Sequence, residues 1–250
     1  MRLLDDFLFV SPDKQRASHF LQILLSGLPK YGCHINPAKA LTNFPFECTG
    51  HDVKCTVQDE MFPWCGLLFD TKTLEVCNDY TRYKDVRLRY TLSVDPTGDV
   101  IKKIQAKLIQ ALQVKCFNFF LDREVNSSQT VRKNCYHMLL MTAYRFHSQL
   151  RCVHTTTGAH TSRRLFGVIV QVARKLNRMG VGLKRSEIEW MCLKAFQSKL
   201  QLHQTRYRRL LKLIAKTMRR LDKYIVHQEM EAVMNVCNPA LPSPFPDMRT

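Results

Sequence analysis

The chain lacks any apolar run of the roughly 20 residues that a bilayer-spanning helix needs, and Met1-Arg2-Leu3 leads into Asp5 and Asp6 rather than into a signal-peptide core. A spanning helix is thereby excluded, and a soluble chain that is not exported is expected. Cys-x-x-Cys pairs are also missing, although ten cysteines occur, at 33, 48, 55, 65, 77, 116, 135, 152, 192 and 237. Their wide spacing argues against a disulfide scaffold, and the apolar runs around many of them predict reduced core thiols of an intracellular protein. Acidic residues are scarce over one long stretch, with 3 Asp or Glu against 17 Lys or Arg in residues 161 to 223. A solvated helical surface normally intersperses Glu among its cations, so this scarcity points to a polyanionic partner. Nucleic acid comes first, ahead of an acidic membrane surface or an acidic protein.

What is present divides the chain. Residues 1 to 98 carry 11 basic against 12 acidic residues, so the formal charge of +17 belongs to the later part. At 250 residues and 45% hydrophobic content there is ample material for a buried core. The first third reads as mixed α and β. "MRLLDDFLFV" has the β-prone character of a strand pair, yet no Asn-Gly or Asp-Gly marks its turn, so Asp5 and Asp6 form the turn or flank it. Two adjacent carboxylates repel unless a cation neutralises them, and hard ions such as Mg2+ prefer oxygen ligands; equally, Asp is an ordinary turn residue. Ser11 and Pro12 open a helix over 12 to 26 whose apolar stripe is Ala17, Phe20, Leu21, Leu24, Leu25 and Leu28. "GCHIN" and "ALTNFPF" read as extended, and "FPWCGLLFDTKTLEV" as two strands around Trp64-Cys65-Gly66 with a turn at Asp70 to Thr73.

From about Asp99 strand patterns give way to helical ones, over 99 to 121, 127 to 150, 162 to 179, 186 to 201 and 204 to 227. Ser186 and Glu189 are expected to form a capping box, with Ile188, Cys192, Phe196 and Leu200 as the buried stripe behind it. In the last of these helices Leu210, Leu211, Ile214, Met218, Leu221 and Ile225 line one side. Arg206, Arg208, Arg209, Lys212, Lys216, Arg219, Arg220 and Lys223 crowd the rest, and between Tyr207 and Lys223 only Asp222 is acidic. The fold class is therefore α+β, a β-hairpin and single-helix part followed by an all-α bundle. The tail "NPALPSPFPDMRT" is expected to be extended.

A double Asp in an apolar hairpin, then a helix, "YGCHINPAKALTNF" and "FPWCGLLFDTKTLEV" resemble, in that order, the end of a polymerase palm. "FLDREVNSSQTV", "AYRFH" and "NPALPSPF" resemble the helical thumb of telomerase reverse transcriptase rather than a retroviral thumb. The similarity covers nearly the whole chain. It implies a partial palm over 1–77, a connecting thumb loop over 78–98, a helical thumb over 99–237 and a Pro-rich tail over 238–250. It implies further that Asp5 and Asp6 are catalytic ligands to two Mg2+ ions. Lys39 would face the incoming deoxynucleoside triphosphate, or else is an exposed loop charge. Trp64, Cys65 and Gly66 match the primer grip, and Lys84, Arg87, Arg89, Lys102 and Lys103 would hold an RNA-DNA hybrid. The implied setting is an RNA-directed DNA polymerase of the nucleus, acting at telomeres with telomerase RNA and a telomeric primer. Tyr144 and Phe146 cannot share a helix face, so at least one is expected to pack in the bundle, with Arg145 and His147 structural.

The sequence departs from the family pattern at Leu4, where Val is common, and at Pro37-Ala38, where Leu-Arg usually precedes the lysine. No strand carrying a third palm carboxylate is present, so the chain is expected to be part of a longer polymerase and inactive alone. Two other readings compete. One is a non-catalytic basic helical fragment that holds nucleic acid. The other is a zinc module built on Cys48, His51, Cys55 and Cys65.

Overall fold

The computed structural model describes residues 1–32, 34–46, 53–55, 61–93, 95–115, 118–153, 158–234 and 245. Two compact units emerge, Met1–Asp79 and Tyr80–Thr250.

The first unit is built from short strands and one helix. Strands β1 (Arg2–Leu3) and β2 (Asp6–Phe7) pair antiparallel, with Leu3 opposite Asp6. Helix α1 spans Lys14–Ser26. It starts later than Ser11-Pro12 suggests, because Asp13 takes the N-cap and accepts from the Gln15 backbone N–H at 2.8 Å. Ser11 instead accepts the Asp13 N–H. Gly27, at φ 74°, closes the helix as expected. No residue of α1 is buried. Its stripe is half-exposed from Ala17 to Leu25, and Leu28 lies in water.

Strand β3 (Leu41–Thr42) pairs parallel with β4 (Lys54–Cys55), which the extended reading of "ALTNFPF" did not anticipate; "GCHIN" forms no strand in its described residues. Strands β5 (Phe62–Trp64), β6 (Leu67–Phe69) and β7 (Val76–Asn78) make an antiparallel meander in that order. Asp70 turns the chain between β6 and β7, its carboxylate accepting from the Lys72 and Thr73 backbone N–H groups. Those bonds hold its carboxyl below the usual range.

The second unit is the α-helical part. Its long helices are α2 (Val100–Lys115), α3 (Ser128–Cys152), α4 (Ala159–Arg178), α5 (Arg185–Gln201) and α6 (Gln204–Leu221), followed by the short α7 (His227–Met234). Helix α3 runs through the middle, packing against α2, α5 and α7, and from Asn134 to Tyr144 every residue is buried. A helix enclosed all round must satisfy its polar side chains internally. Asn134 donates to the Phe120 carbonyl at 3.0 Å, Thr142 to Met138, and His147 Nδ1 lies 2.9 Å from the Tyr207 hydroxyl. Ser127 caps its start, accepting from Thr130.

Several expectations at helix ends are corrected. The helix expected over 99 to 121 stops at Lys115, and Phe120 enters the core from a separate 3-10 turn, Asn118–Phe120. The helix expected to reach 227 ends at Leu221. A 3-10 turn and α7 follow, too short for periodicity to announce. The capping residue of α5 is Lys184, not Ser186: Glu187 reaches back to the Lys184 N–H at 3.4 Å, while Glu189 pairs with Arg185 at 2.7 Å. The stripe Ile188, Cys192, Phe196 and Leu200 is fully buried. Of the described free cysteines, 77, 135 and 192 are core thiols, whereas Cys65 and Cys152 are exposed. Most of the tail, and Cys48 and His51 of the zinc reading, lie outside the described residues. Among the described residues no group of three or more His, Cys, Asp or Glu can hold a metal ion.

Candidate acidic hairpin and basic helical surface

The β1–β2 turn is Leu4-Asp5, and Leu4 takes φ 55°, a left-handed conformation that a two-residue hairpin requires. Asp5 occupies the turn and Asp6 opens β2, so the pair sits at the hairpin tip with both residues exposed. Arg2 supports the tip from below, its Nε donating to the Leu4 carbonyl at 2.6 Å and its guanidinium lying 5.3 Å from the Phe7 ring centre. Phe9 stacks on Phe20 of α1 at 4.4 Å, which ties the segment after the hairpin to the helix.

Cys65 and Gly66 form the β5–β6 turn at φ 50° and 79°, flanked by the pair Trp64 and Leu67. Glycine is at ease with a positive φ, whereas Cys65 carries strain there. The turn reaches back to the acidic tip. Cys65 Sγ lies 3.3 Å from Asp6 Oδ2, a thiol donating to a carboxylate 59 residues away. Burial, the Asp6 hydrogen bond and the charges of Asp6 and Asp5 push the Cys65 thiol upward, so it stays protonated and available as a donor. The indole of Trp64 packs near Phe69 at 6.2 Å with its buried Nε1 lacking a hydrogen-bond partner.

Lys39 ends a 3-10 turn, Pro37–Lys39, whose start is capped by Asn36. It is exposed, and no hydrogen bond or ion pair joins it to Asp5 or Asp6 among the described residues. Of the residues singled out in the first unit, the structure therefore brings together Asp6 and Cys65 and leaves Lys39 apart from that contact.

In the second unit Lys84, Arg87 and Arg89 lie exposed on a loop held by Tyr80 and Leu88, which are buried to 3% and 0% exposure. Arg89 donates to the Tyr90 hydroxyl at 2.6 Å and lies over that ring, which lowers the phenol pKa. Lys102 is open to solvent at 82% of its side chain, beside Asp99 at 4.0 Å. Lys103 is engaged by Asp95 and Thr97 and so fastens the loop to α2. These bonds hold the Asp95 carboxyl far below its usual range. Asp99 caps α2 through the Lys102 N–H and is gripped by Arg164 of α4, 2.6 Å from each carboxylate oxygen.

Sequence reasoning did not single out Lys107 and Gln149, and read Arg145 as structural. These three, with Ser93 and Thr91, line a small surface pocket beside the loop. Lys107 bonds Ser93, while Arg145 Nε and Gln149 Oε1 are buried without partners. Their spacing along α2 and α3 gave no signal, because the pocket exists only once those helices pack.

The hairpin, the meander and the helical unit together make an α+β chain that ends in a helical bundle. The profile of the family described as "Telomerase reverse transcriptase, C-terminal extension" matches residues 102–215. The chain is 36% identical over 264 aligned residues to the telomerase reverse transcriptase of Bos taurus, covering 98% of this chain and 24% of that protein. The corresponding protein of Oryzias latipes is 33% identical over 96% of this chain, and that of Arabidopsis thaliana 30% identical over 93%. The chain belongs to the telomerase reverse transcriptase family and corresponds to its C-terminal part. It spans about a quarter of the length of the curated relatives it matches.

Proposed function

We propose that this chain forms the last part of an RNA-directed DNA polymerase of the telomerase type, which extends the 3' end of a telomeric primer on an RNA template in the nucleus. The observation that carries the reading is the contact between Cys65 of the Trp64-Cys65-Gly66 turn and Asp6 of the acidic hairpin. A primer held by the backbone of that turn has its reactive end beside the carboxylates. Gly66, with no side chain, lets the primer backbone approach closely.

The donor set at the tip suits Mg2+: two exposed, hard carboxylates with room for bound water. Two Mg2+ ions, when bound, activate a primer hydroxyl and neutralise charge on the transferred phosphoryl group. Asp5 and Asp6 are the ligands this chain supplies. Two carboxylates from one hairpin do not complete such a site, so the remaining acid comes from another part of the polymerase and this chain alone does not add nucleotides. Lys39, exposed on its turn, is the cation this reading assigns to the triphosphate of an incoming deoxynucleotide. Lys84, Arg87, Arg89 and Lys102 hold the RNA-DNA hybrid through its phosphates, without reading sequence, and Lys103 fixes the loop that presents them.

The test is primer extension by a full-length polymerase carrying Asp5→Asn, alongside binding of an RNA-DNA hybrid. Loss of extension by more than about 100-fold, the most that outer-shell changes at metal sites cost, with hybrid binding retained, is the expected result. Extension within tenfold of the parent would overturn the catalytic assignment. It would favour the second reading, a non-catalytic basic unit that holds nucleic acid, which the charge of residues 161 to 223 supports.

A further inference from the structure

The end of the loop 84–93 meets helices α2 and α3 around a cavity of about 130 Å³, whose polar lining is Thr91, Ser93, Lys107, Arg145 and Gln149. Two cations share this small space, and no carboxylate lines it among the described residues. Lys107 donates to the Ser93 carbonyl and, at 3.0 Å, to the Ser93 hydroxyl. Arg145 is half-buried, and its Nε–H has no hydrogen-bond partner. Gln149, 3% exposed, is likewise without a partner at Oε1. Neither Lys107 nor Arg145 forms an ion pair with a described carboxylate. A buried donor left unpaired costs stability, and two like charges facing one cavity repel. Water relieves the first of these costs but not the second. An anion relieves both.

Size and lining narrow the anion. The cavity is too small for the sugars that flank a phosphate inside a nucleic-acid strand, so it suits a single tetrahedral oxyanion. A hydroxyl of the chain itself stands where such a group could be attached. Ser93 is exposed, and its Oγ is the atom that Lys107 already touches. Thr91 is the poorer candidate, because its hydroxyl donates to the Leu88 carbonyl at 2.8 Å and closes the turn there. A phosphoryl group on Ser93 Oγ brings three acceptor oxygens and a charge of about −1.5 to −2 at neutral pH. Lys107 and the unpartnered Arg145 Nε–H meet it with charge-assisted hydrogen bonds, and the Gln149 amide, turned over, adds its NH2. Asp95, the nearest carboxylate in sequence, is occupied by Lys103.

We propose that Ser93 is a phosphorylation site and that this cavity receives its phosphate. In the transfer itself Ser93 Oγ attacks the γ-phosphorus of a nucleoside triphosphate held by a protein kinase. The P–Oγ bond forms as the bond to the bridging oxygen breaks, the nucleoside diphosphate leaves, and the hydroxyl proton passes to a base of the kinase. The phosphate then fastens the loop to α2 and α3 at a second point, beside the contact of Lys103 with Asp95. That loop carries Lys84, Arg87 and Arg89, so the modification restricts their reach. Its effect on a bound hybrid rests on the function proposed above, whereas the site does not.

The experiment uses the whole chain with phosphoserine incorporated at position 93 during translation, and follows the phosphate by phosphorus NMR in a pH titration. An ordinary phosphoserine has its second pKa at about 6. In the folded chain it should fall to about 5 or lower, because cations beside the dianion favour it. Lys107→Gln and Arg145→Gln should each return it toward the ordinary value, while Lys102→Gln, exposed on the same helix as Lys107, should leave it low. Thermal melts by circular dichroism confirm that each variant folds. They should also show the phosphorylated chain melting above the unmodified one, with the gain lost in Lys107→Gln. A phosphate that titrates at the ordinary value in the folded chain overturns the proposal. So does a melting temperature lowered by phosphorylation alike in the parent and in Lys107→Gln. Inorganic phosphate added to the unmodified chain tests the other source of the same chemistry. Saturable stabilisation that survives Ser93→Ala but not Arg145→Gln would assign the cavity to a free oxyanion and overturn the modification. None of these readouts involves nucleic acid, so the outcome is separate from that of the hybrid assignment.

Discussion

The hydroxyl of Tyr144 donates a 2.7 Å hydrogen bond to the main-chain carbonyl of Phe245, 101 residues further along. The Phe245 ring is 3% exposed and sits 5.3 Å from Tyr80, 5.7 Å from His137 and 5.7 Å from Tyr144. One aromatic side chain near the C-terminus thus joins the first residue of the helical unit to its central helix. Phe245→Ala should cost about 3–5 kcal/mol, the range for emptying a buried aromatic site. Tyr144→Phe should cost about 1–3 kcal/mol by leaving the carbonyl unpaired. Urea denaturation of both variants checks this, and a Phe245→Ala protein as stable as the parent would show that the tail contributes nothing.

Residues 80–250 should fold without the first unit, giving a cooperative thermal melt by circular dichroism. The cut belongs at Tyr80 and not at Asp99. Cutting at 99 removes Tyr80 and Leu88, both buried in the helical unit, and should lower the melting temperature by several degrees at least. Equal melting of the two pieces would contradict that.

Stability should fall with acidification below about pH 6.5. Burial, then Lys133, pushes His137 down to about 3; burial, then His203, Lys199, Arg151 and Arg206, does the same for His147. In the unfolded chain each titrates near 6.5. Between those values the unfolded state binds protons that the folded state refuses, so these histidines leave stability level above pH 6.5. Below it each lowers stability by up to about 1.4 kcal/mol per pH unit. Denaturant melts at pH 7.5, 6.5 and 5.5 measure the slope, and His147→Gln should reduce it by one proton's worth.

Arg132 of α3 pairs with Glu229 at 2.9 Å and with the nearly buried Glu187 at 3.5 Å. Arg132→Met strands the Glu187 carboxylate and should cost about 3–5 kcal/mol. Adding Glu187→Gln should recover part of that loss, since a neutral amide is cheaper to bury. A double variant no more stable than the single one would mean that packing, not charge, sets the cost.

Asp6→Asn should make Cys65 react several-fold faster with iodoacetamide near pH 8. The substitution removes the carboxylate that accepts its hydrogen bond and raises its pKa. A rate equal to the parent's would mean that the contact is not maintained in solution.

The helical half was legible in the sequence wherever a local period carried it. The stripe Ile188 to Leu200 and the buried side of α6 stand where their spacing places them. Helix starts were less legible, because a cap depends on which residue's side chain turns back. Glu187 does so at α5, although Ser186 is the better capping type on paper, and at α1 Asp13 does so rather than Ser11, an equally good capping type. At the site, the double Asp, the Trp-Cys-Gly turn and the basic residues were all visible as motifs. Whether any two of them meet was not.

Composition and periodicity determined by themselves that this protein is a mixed α and β segment followed by a basic helical bundle, and that an acidic hairpin opens it. These are properties of neighbours along the chain, within a turn or a few strand residues. Only the tertiary structure decided that Cys65 touches Asp6, that Lys103 is bound to Asp95 while Lys102 stands largely in solvent beside Asp99, and that Phe245 closes an aromatic site against Tyr80 and Tyr144. The Cys65 and Phe245 contacts join residues far apart in sequence, and Lys103 reaches its partner across a turn. Each side chain had many equally plausible partners until the packing of whole elements left it one.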